Sequence, residues 1–115
     1  MFHEILKSKI HNATVTGTNT DYVGSIRIDG QLIEAAGLIE HEKVLVSNVN
    51  NGERFETYVI VGKRGSGIVE LNGAAAKLAR KGHKVIIMSF ALMDDEEVLK
   101  HKPRIVMVDR GNRIL

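Results

Sequence analysis

The amino-acid sequence predicts a mainly β protein, a compact β-barrel with a few short helices. Three observations point there. Seven short runs are rich in Val, Ile, Thr and Tyr, which suit a pleated, half-buried surface: 13–16, 25–28, 43–49, 54–61, 68–71, 85–92 and 104–108. Between two of them, Asn50-Asn51-Gly52 tolerates positive φ and predicts a hairpin joining an antiparallel pair. The helices that the spacing allows are too short to be crossovers of a doubly wound sheet. The pattern does not give the order of the strands.

Those helices have recognisable ends. The first covers 31–36, with Asp29 as cap and Gly37 as terminator; the second covers 73–81, capped by Asn72 and ended by Gly82. A third covers 95–100, and the acidic run Asp94-Asp95-Glu96-Glu97 reads as its solvated start, where negative charge suits the helix dipole. Arg64-Gly65-Ser66-Gly67 predicts a hairpin turn, because it lacks the length and the lysine of a phosphate-binding loop.

At 115 residues, with no repeat, low-complexity tract or linker, the chain is expected to form a single domain, 1–115. Hydrophobic residues make up 43% and charged residues 26%, close to the globular average. Apolar stretches such as Val85-Ile86-Ile87-Met88 fall far short of the roughly 20 residues that span a bilayer, so no membrane association is expected. The first residues lack the pattern of a secretory signal, and there is no cysteine, so a cytoplasmic location is expected. The same absence excludes disulfides, thiolate metal sites and cysteine nucleophiles. The five histidines, at 3, 11, 41, 83 and 101, have no close metal-ligand spacing, and no metal is expected. A net charge of +2 favours anionic ligands weakly.

Four segments could carry chemistry. Tyr22-Val23-Gly24-Ser25 is, on residue type alone, a turn before a strand; alternatively Gly24 permits a strained backbone in which the Ser25 hydroxyl attacks the Gly24 carbonyl. Arg54-Phe55-Glu56-Thr57-Tyr58 alternates as a strand, with Arg54, Glu56 and Tyr58 on one face. It is either an ordinary half-buried strand or one whose Arg54 grips a carboxylate and whose Tyr58 offers a phenolic proton, with a bulge bringing in Thr57. Asn72-Gly73-Ala74-Ala75-Ala76 opens a helix; its free N–H groups could also hold a carboxylate with no side chain in the way. Lys9-Ile10-His11 sets a cation and an imidazole on one face, either a solvated edge or part of a site.

Together Lys9, His11, Tyr22-Val23-Gly24-Ser25, the run from Asn48 to Tyr58, Arg64-Gly65-Ser66 and Asn72-Gly73-Ala74-Ala75-Ala76 resemble the bacterial aspartate 1-decarboxylases of pantothenate synthesis. Ala35-Ala36-Gly37 and Ser89-Phe90 stand in the expected order, and the likeness covers nearly the whole chain. The resemblance implies a double-psi β-barrel assembled as a homotetramer with active sites between subunits. It implies cleavage between Gly24 and Ser25 into 1–24 and 25–115, with Ser25 becoming a covalent pyruvoyl cofactor. That group would take up L-aspartate and accept the electrons released as carbon dioxide leaves.

By the same resemblance, Thr57 polarises the Gly24 carbonyl during cleavage and contacts substrate, and Tyr58 protonates the α-carbon to give β-alanine. Lys9 and Arg54 are the carboxylate contacts; Gly73, Ala74 and Ala75 form the backbone part of the substrate site; His11, Tyr22 and Asn72 support it. Two departures stand out: the chain stops at Leu115, where relatives often carry a longer tail, and Ser47 occupies a position that is aromatic in some members. Two other classes compete, a nucleic-acid-binding barrel and a purely structural subunit. Against the first, only five aromatic residues are present and none is interleaved with a basic run. No nucleic-acid partner is expected.

Overall fold

A computed structural model describes all 115 residues. Eight strands form one sheet: β1 (His3–Thr14), β2 (Gly17–Asn19), β3 (Ser25–Asp29), β4 (Lys43–Asn48), β5 (Arg54–Gly62), β6 (Val69–Asn72), β7 (Lys84–Met93) and β8 (Arg104–Met107). The remaining elements are the helices α1 (Gly30–Ala36) and α2 (Asp95–Lys100) and a 3₁₀ helix, Gly73–Leu78. The mainly β expectation is borne out. So are the hairpin between β4 and β5, the two predicted α-helices and their Asp29, Gly37 and acidic signals.

The strands lie in the order β2-β6-β3-β5-β4-β7-β1-β8. Although β1 and β2 stand near opposite ends of that row, only Val15 and Thr16 separate them in the chain, so the sheet must roll up for both to pair. The rolled edges meet where Val15 N–H donates to His83 O at 2.9 Å and Thr16 N–H to Val69 O at 2.8 Å. Inside sits a cluster of 19 buried apolar residues, among them Ile10, Ile26, Ile28, Val46, Val59, Leu71 and Ile87. The pairs β1/β8, β2/β6 and β3/β5 are parallel, and the other neighbours run antiparallel.

Three expectations need correction. The strand predicted at 13–16 is the end of a strand that begins at His3. Register shifts between Leu6 and Ser8 and between Ile10 and Ala13, with Asn12 at φ 59°, break the two-residue alternation that would have revealed it. The helix predicted at 73–81 is a 3₁₀ helix ending at Leu78, and the Asn72 side chain makes no cap bond to it. The turn at Arg64-Gly65-Ser66-Gly67 does not close a hairpin, because β3 lies between β5 and β6.

Asp29 explains why that turn sits where it does. Its buried carboxylate accepts from Gln31 N–H at 2.8 Å, Gly65 N–H at 2.9 Å and Gly67 N–H at 2.8 Å, so one side chain caps α1 and pins the loop above β3. Burial by itself would raise its pKa; the three N–H donors and nearby Arg64 outweigh it and hold the group below the ordinary value. Glu42 is held down in the same way, with burial opposed by Lys7, Ser89 and the Ile39 N–H.

Carboxylates depressed on folding contribute stability that is present above their unfolded pKa of about 4 and is lost as pH falls through the lower folded value. Asp29→Asn is therefore expected to lower unfolding free energy by about 2–3 kcal/mol near neutral pH, with the gap to wild type narrowing below about pH 4. Urea midpoints measured across that range check both parts.

Candidate active site

The site grows from the start of β3. Ile26 points into the core and is fully buried, so by strand alternation Ser25 points to the other face; it is nevertheless only 1% exposed. Two neighbouring strands cover it. On one side Ser25 pairs with Asn72 of β6, whose Nδ2 donates to Ser25 Oγ at 3.3 Å. On the other side Ile26 pairs with Val59 of β5 in parallel, and one step back along that register Tyr58 stands next to Ser25, while Gly24 lies just outside β3. The predicted bulge is not seen in β5, which pairs without a break with β4 from Arg54 to Tyr58 and with β3 from Val59 to Gly62; Thr57 lines the groove beside Tyr58.

The glycine constraint falls on a different residue from the one expected. Gly24 is not among the residues of positive φ, and a Cβ there would meet only Asn72 O, at 3.9 Å. Gly73 has φ 63°, and a Cβ on it would lie 2.7 Å from Gly24 Cα, 2.9 Å from Gly24 N and 3.3 Å from Tyr22 O. The 3₁₀ helix thus begins with its backbone pressed against the Gly24-Ser25 junction. Gly73→Ala is expected to destabilise the chain by about 3 kcal/mol and to displace Gly24, whereas Gly24→Ala is sterically tolerated. Thermal melting of the two variants side by side checks the contrast.

Within one chain the structure therefore brings together Gly24, Ser25, Asn72 and Gly73, with Tyr22 beside them and Tyr58 on the adjoining strand. Ala74 is exposed, and Ala75 packs against the core. Tyr58, Thr57, Lys43 and Glu56 line an open groove of about 440 Å³. Beside Tyr58, Lys43 and Glu56 form an exposed ion pair at 2.6 Å, and Glu56 raises the Lys43 pKa. A larger groove, about 600 Å³, continues along the same face past Leu45, Phe90 and Leu92. Ser25 lines neither groove.

Lys9, His11 and Arg54 form a second group. Lys9 lies level with Met88, Leu45 and Glu56 across β1, β7, β4 and β5, and Arg54 lies level with Ser47 and Ile86. All project from the outer face of the sheet, opposite Ile10, Ile87, Val46 and Phe55. Along the sheet β1 and β3 are separated by β7, β4 and β5. Buried polar atoms without a hydrogen-bond partner mark both groups: Asn72 Oδ1 in the first, His11 Nδ1 and Ser47 Oγ in the second. Unpaired buried polar atoms are costly, and sites that bind or react are where they persist.

Sequence reasoning passed over Arg27. It follows Ser25 by two residues on the same strand, hence on the same face, and its Nη2 donates to Tyr22 Oη at 2.7 Å. That spacing was the available signal.

A small, rolled β-sheet with a buried serine after a glycine, its hydroxyl bonded to an asparagine of the adjoining strand, defines the class. A family model described as aspartate decarboxylase matches residues 1–115. The aspartate 1-decarboxylase of Caldicellulosiruptor bescii is 62% identical over 115 residues, covering 100% of this chain and 90% of that protein. The proteins of the same name from Neisseria meningitidis, 55% identical over 99% of this chain and 90% of its own, and Carboxydothermus hydrogenoformans, 54% identical over 100% and 91%, are similar throughout. The chain belongs to the aspartate decarboxylase family.

Proposed function

We propose that this chain, as one barrel domain, cleaves itself between Gly24 and Ser25, converts Ser25 into a pyruvoyl group, and with that group turns L-aspartate into β-alanine and carbon dioxide. Aspartate decarboxylation is its activity, and pantothenate synthesis is the use of the product. The observation that carries the reading is the buried Ser25 hydroxyl, bonded to Asn72, with the Gly73 backbone close against Gly24.

In the first step the Ser25 Oγ forms a bond to the Gly24 carbonyl carbon, the bond from that carbon to Ser25 N breaks, and the hydroxyl proton passes to the nitrogen. In this reading Thr57, on the neighbouring strand β5, donates to the carbonyl oxygen as it gains charge. Loss of the α-proton and of the Gly24 carboxylate from Cβ then frees residues 1–24, and hydrolysis with release of ammonia leaves a ketone at position 25. The surroundings fit that group: Asn72 Nδ2 already faces the position, Asn72 Oδ1 is unpartnered, and Gly73 has no Cβ to crowd it. A pyruvoyl ketone supplies an electron sink once joined to the substrate amine.

The chain's own residues do the rest. Tyr58 holds the proton that goes to the α-carbon after carbon dioxide leaves. Gly73, Ala74 and Ala75 offer backbone to the substrate, and His11, Tyr22 and Asn72 hold the walls. Lys9 and Arg54 bind the carboxylates with charge-assisted hydrogen bonds, in a site shared between neighbouring copies. A homotetramer meets that need, and exposed Phe90 and Leu92 on the same face suit contact between copies. No helix is long and apolar enough to cross a membrane, and the cysteine-free chain suits the cytoplasm. Electrophoresis of purified protein before and after warming tests the reading: two bands are expected, and one lasting band would overturn it.

A further inference from the structure

Arg27 faces Glu70 across the β3/β6 pair yet forms no ion pair with it. Its guanidinium instead reaches back over the Gly24-Ser25 junction. Nη2 donates to Tyr22 Oη at 2.7 Å, and the guanidinium carbon lies 4.9 Å from the centroid of the Tyr22 ring. The stem is seated as well, since a Cβ on Gly62 would lie 3.0 Å from Arg27 Cγ. Tyr22 has few other anchors: the residue is 44% exposed, and its N–H makes a long 3.4 Å bond to Asn19 O.

We propose that Arg27 is a positioning residue for self-cleavage, clamping Tyr22 so that residues 22–24 stay folded against Ser25. The inference rests on the self-processing reading above. The clamp spans five residues with the scissile bond between its ends, and it meets a second constraint, the Gly73 backbone pressed on Gly24. An arginine suits the task because its planar fork both donates to the phenol and lies over the ring. A segment free to swing away from Ser25 spends less time with the Gly24 carbonyl in reach of the hydroxyl, and cleavage slows in proportion. After cleavage the two ends belong to different chains, so the same contact holds the tail of 1–24 beside residue 25.

The test is the cleavage half-time of purified full-length precursor at fixed temperature, for wild type, Arg27→Ala, Arg27→Lys, Tyr22→Phe and the double variant Arg27→Ala/Tyr22→Phe. Melting temperatures of the same substitutions are read in a Ser25→Ala background, where the chain stays whole. Arg27→Ala is expected to slow cleavage about tenfold, equivalent to about 1.4 kcal/mol, with Arg27→Lys and Tyr22→Phe in between. The double variant is expected to be no slower than Arg27→Ala, because both substitutions break one contact. Wild-type speed in Arg27→Ala overturns the clamp alone; additive slowing, or slowing that follows a drop in melting temperature, overturns it in favour of a general stability effect. A wild-type precursor that never cleaves overturns the self-processing reading and the clamp with it.

Discussion

Ser25→Ala is expected to remain one chain of 12.7 kDa and to release no β-alanine from L-aspartate. The substitution removes the oxygen that must attack the Gly24 carbonyl and, with it, the atom through which position 25 would gain its ketone. Loss of both properties together is the signature, because no other side chain beside the junction can replace a hydroxyl attached to residue 25 itself. The fold is expected to survive: alanine fits the space, and the lost bond from Asn72 costs about 1 kcal/mol. Melting of the purified variant separates a folded, inert chain from an unfolded one. Turnover at the wild-type rate in Ser25→Ala would remove the serine from the mechanism.

Tyr58→Phe is expected to divide the two activities that Ser25→Ala removes together. Tyr58 stands beside Ser25 on β5 and borders the open groove, so its phenol is placed to give a proton to a substrate entering there. In the proposed mechanism cleavage uses Thr57 and the Ser25 hydroxyl, not the phenol, and it is expected to proceed. Decarboxylation with product release needs the proton, and kcat is expected to fall by about 10²–10⁴. Gel analysis and a β-alanine assay on the same preparation give both answers. Equal loss of cleavage and turnover would place Tyr58 in maturation instead.

The signals readable from sequence were those carried by neighbours in the chain. Asp29 and Gly37 bound α1, Asp94 and Glu97 bound α2, and Asn51-Gly52 turns β4 into β5, each through contacts within a few residues. The strand order is invisible at that range, since parallel partners such as β3 and β5 are joined by long excursions through other elements. The bulges of β1 hid a twelve-residue strand for the same reason: alternation fails where register shifts. Asn72 looked like a helix cap because asparagine before a helical run usually is one; its amide instead faces Ser25, a partner 47 residues away.

Legibility of the site followed the same division. Tyr58 and Thr57 stood out on an alternating strand and Asn72 ahead of a helical run, the family resemblance gave them roles, and register sets Tyr58 and Asn72 on the strands either side of Ser25. The requirement for glycine at 73 depends on a close approach between segments far apart in the chain, so residue type pointed to Gly24 instead. Lys9, His11 and Arg54 are set on one face by the pairing of β1, β7, β4 and β5, which residue order does not reveal.

The central claim, that Ser25 is converted into the cofactor, is tested most directly by the intact mass of purified wild-type protein after warming. Sharing 12.7 kDa in proportion over residues 1–24 and 25–115 predicts fragments of about 2.7 and 10 kDa. The larger is expected to be lighter by one ammonia than a chain beginning with serine, because conversion to a pyruvoyl end releases the amine. An uncut chain, or a larger fragment carrying an ordinary serine at its end, would contradict the account.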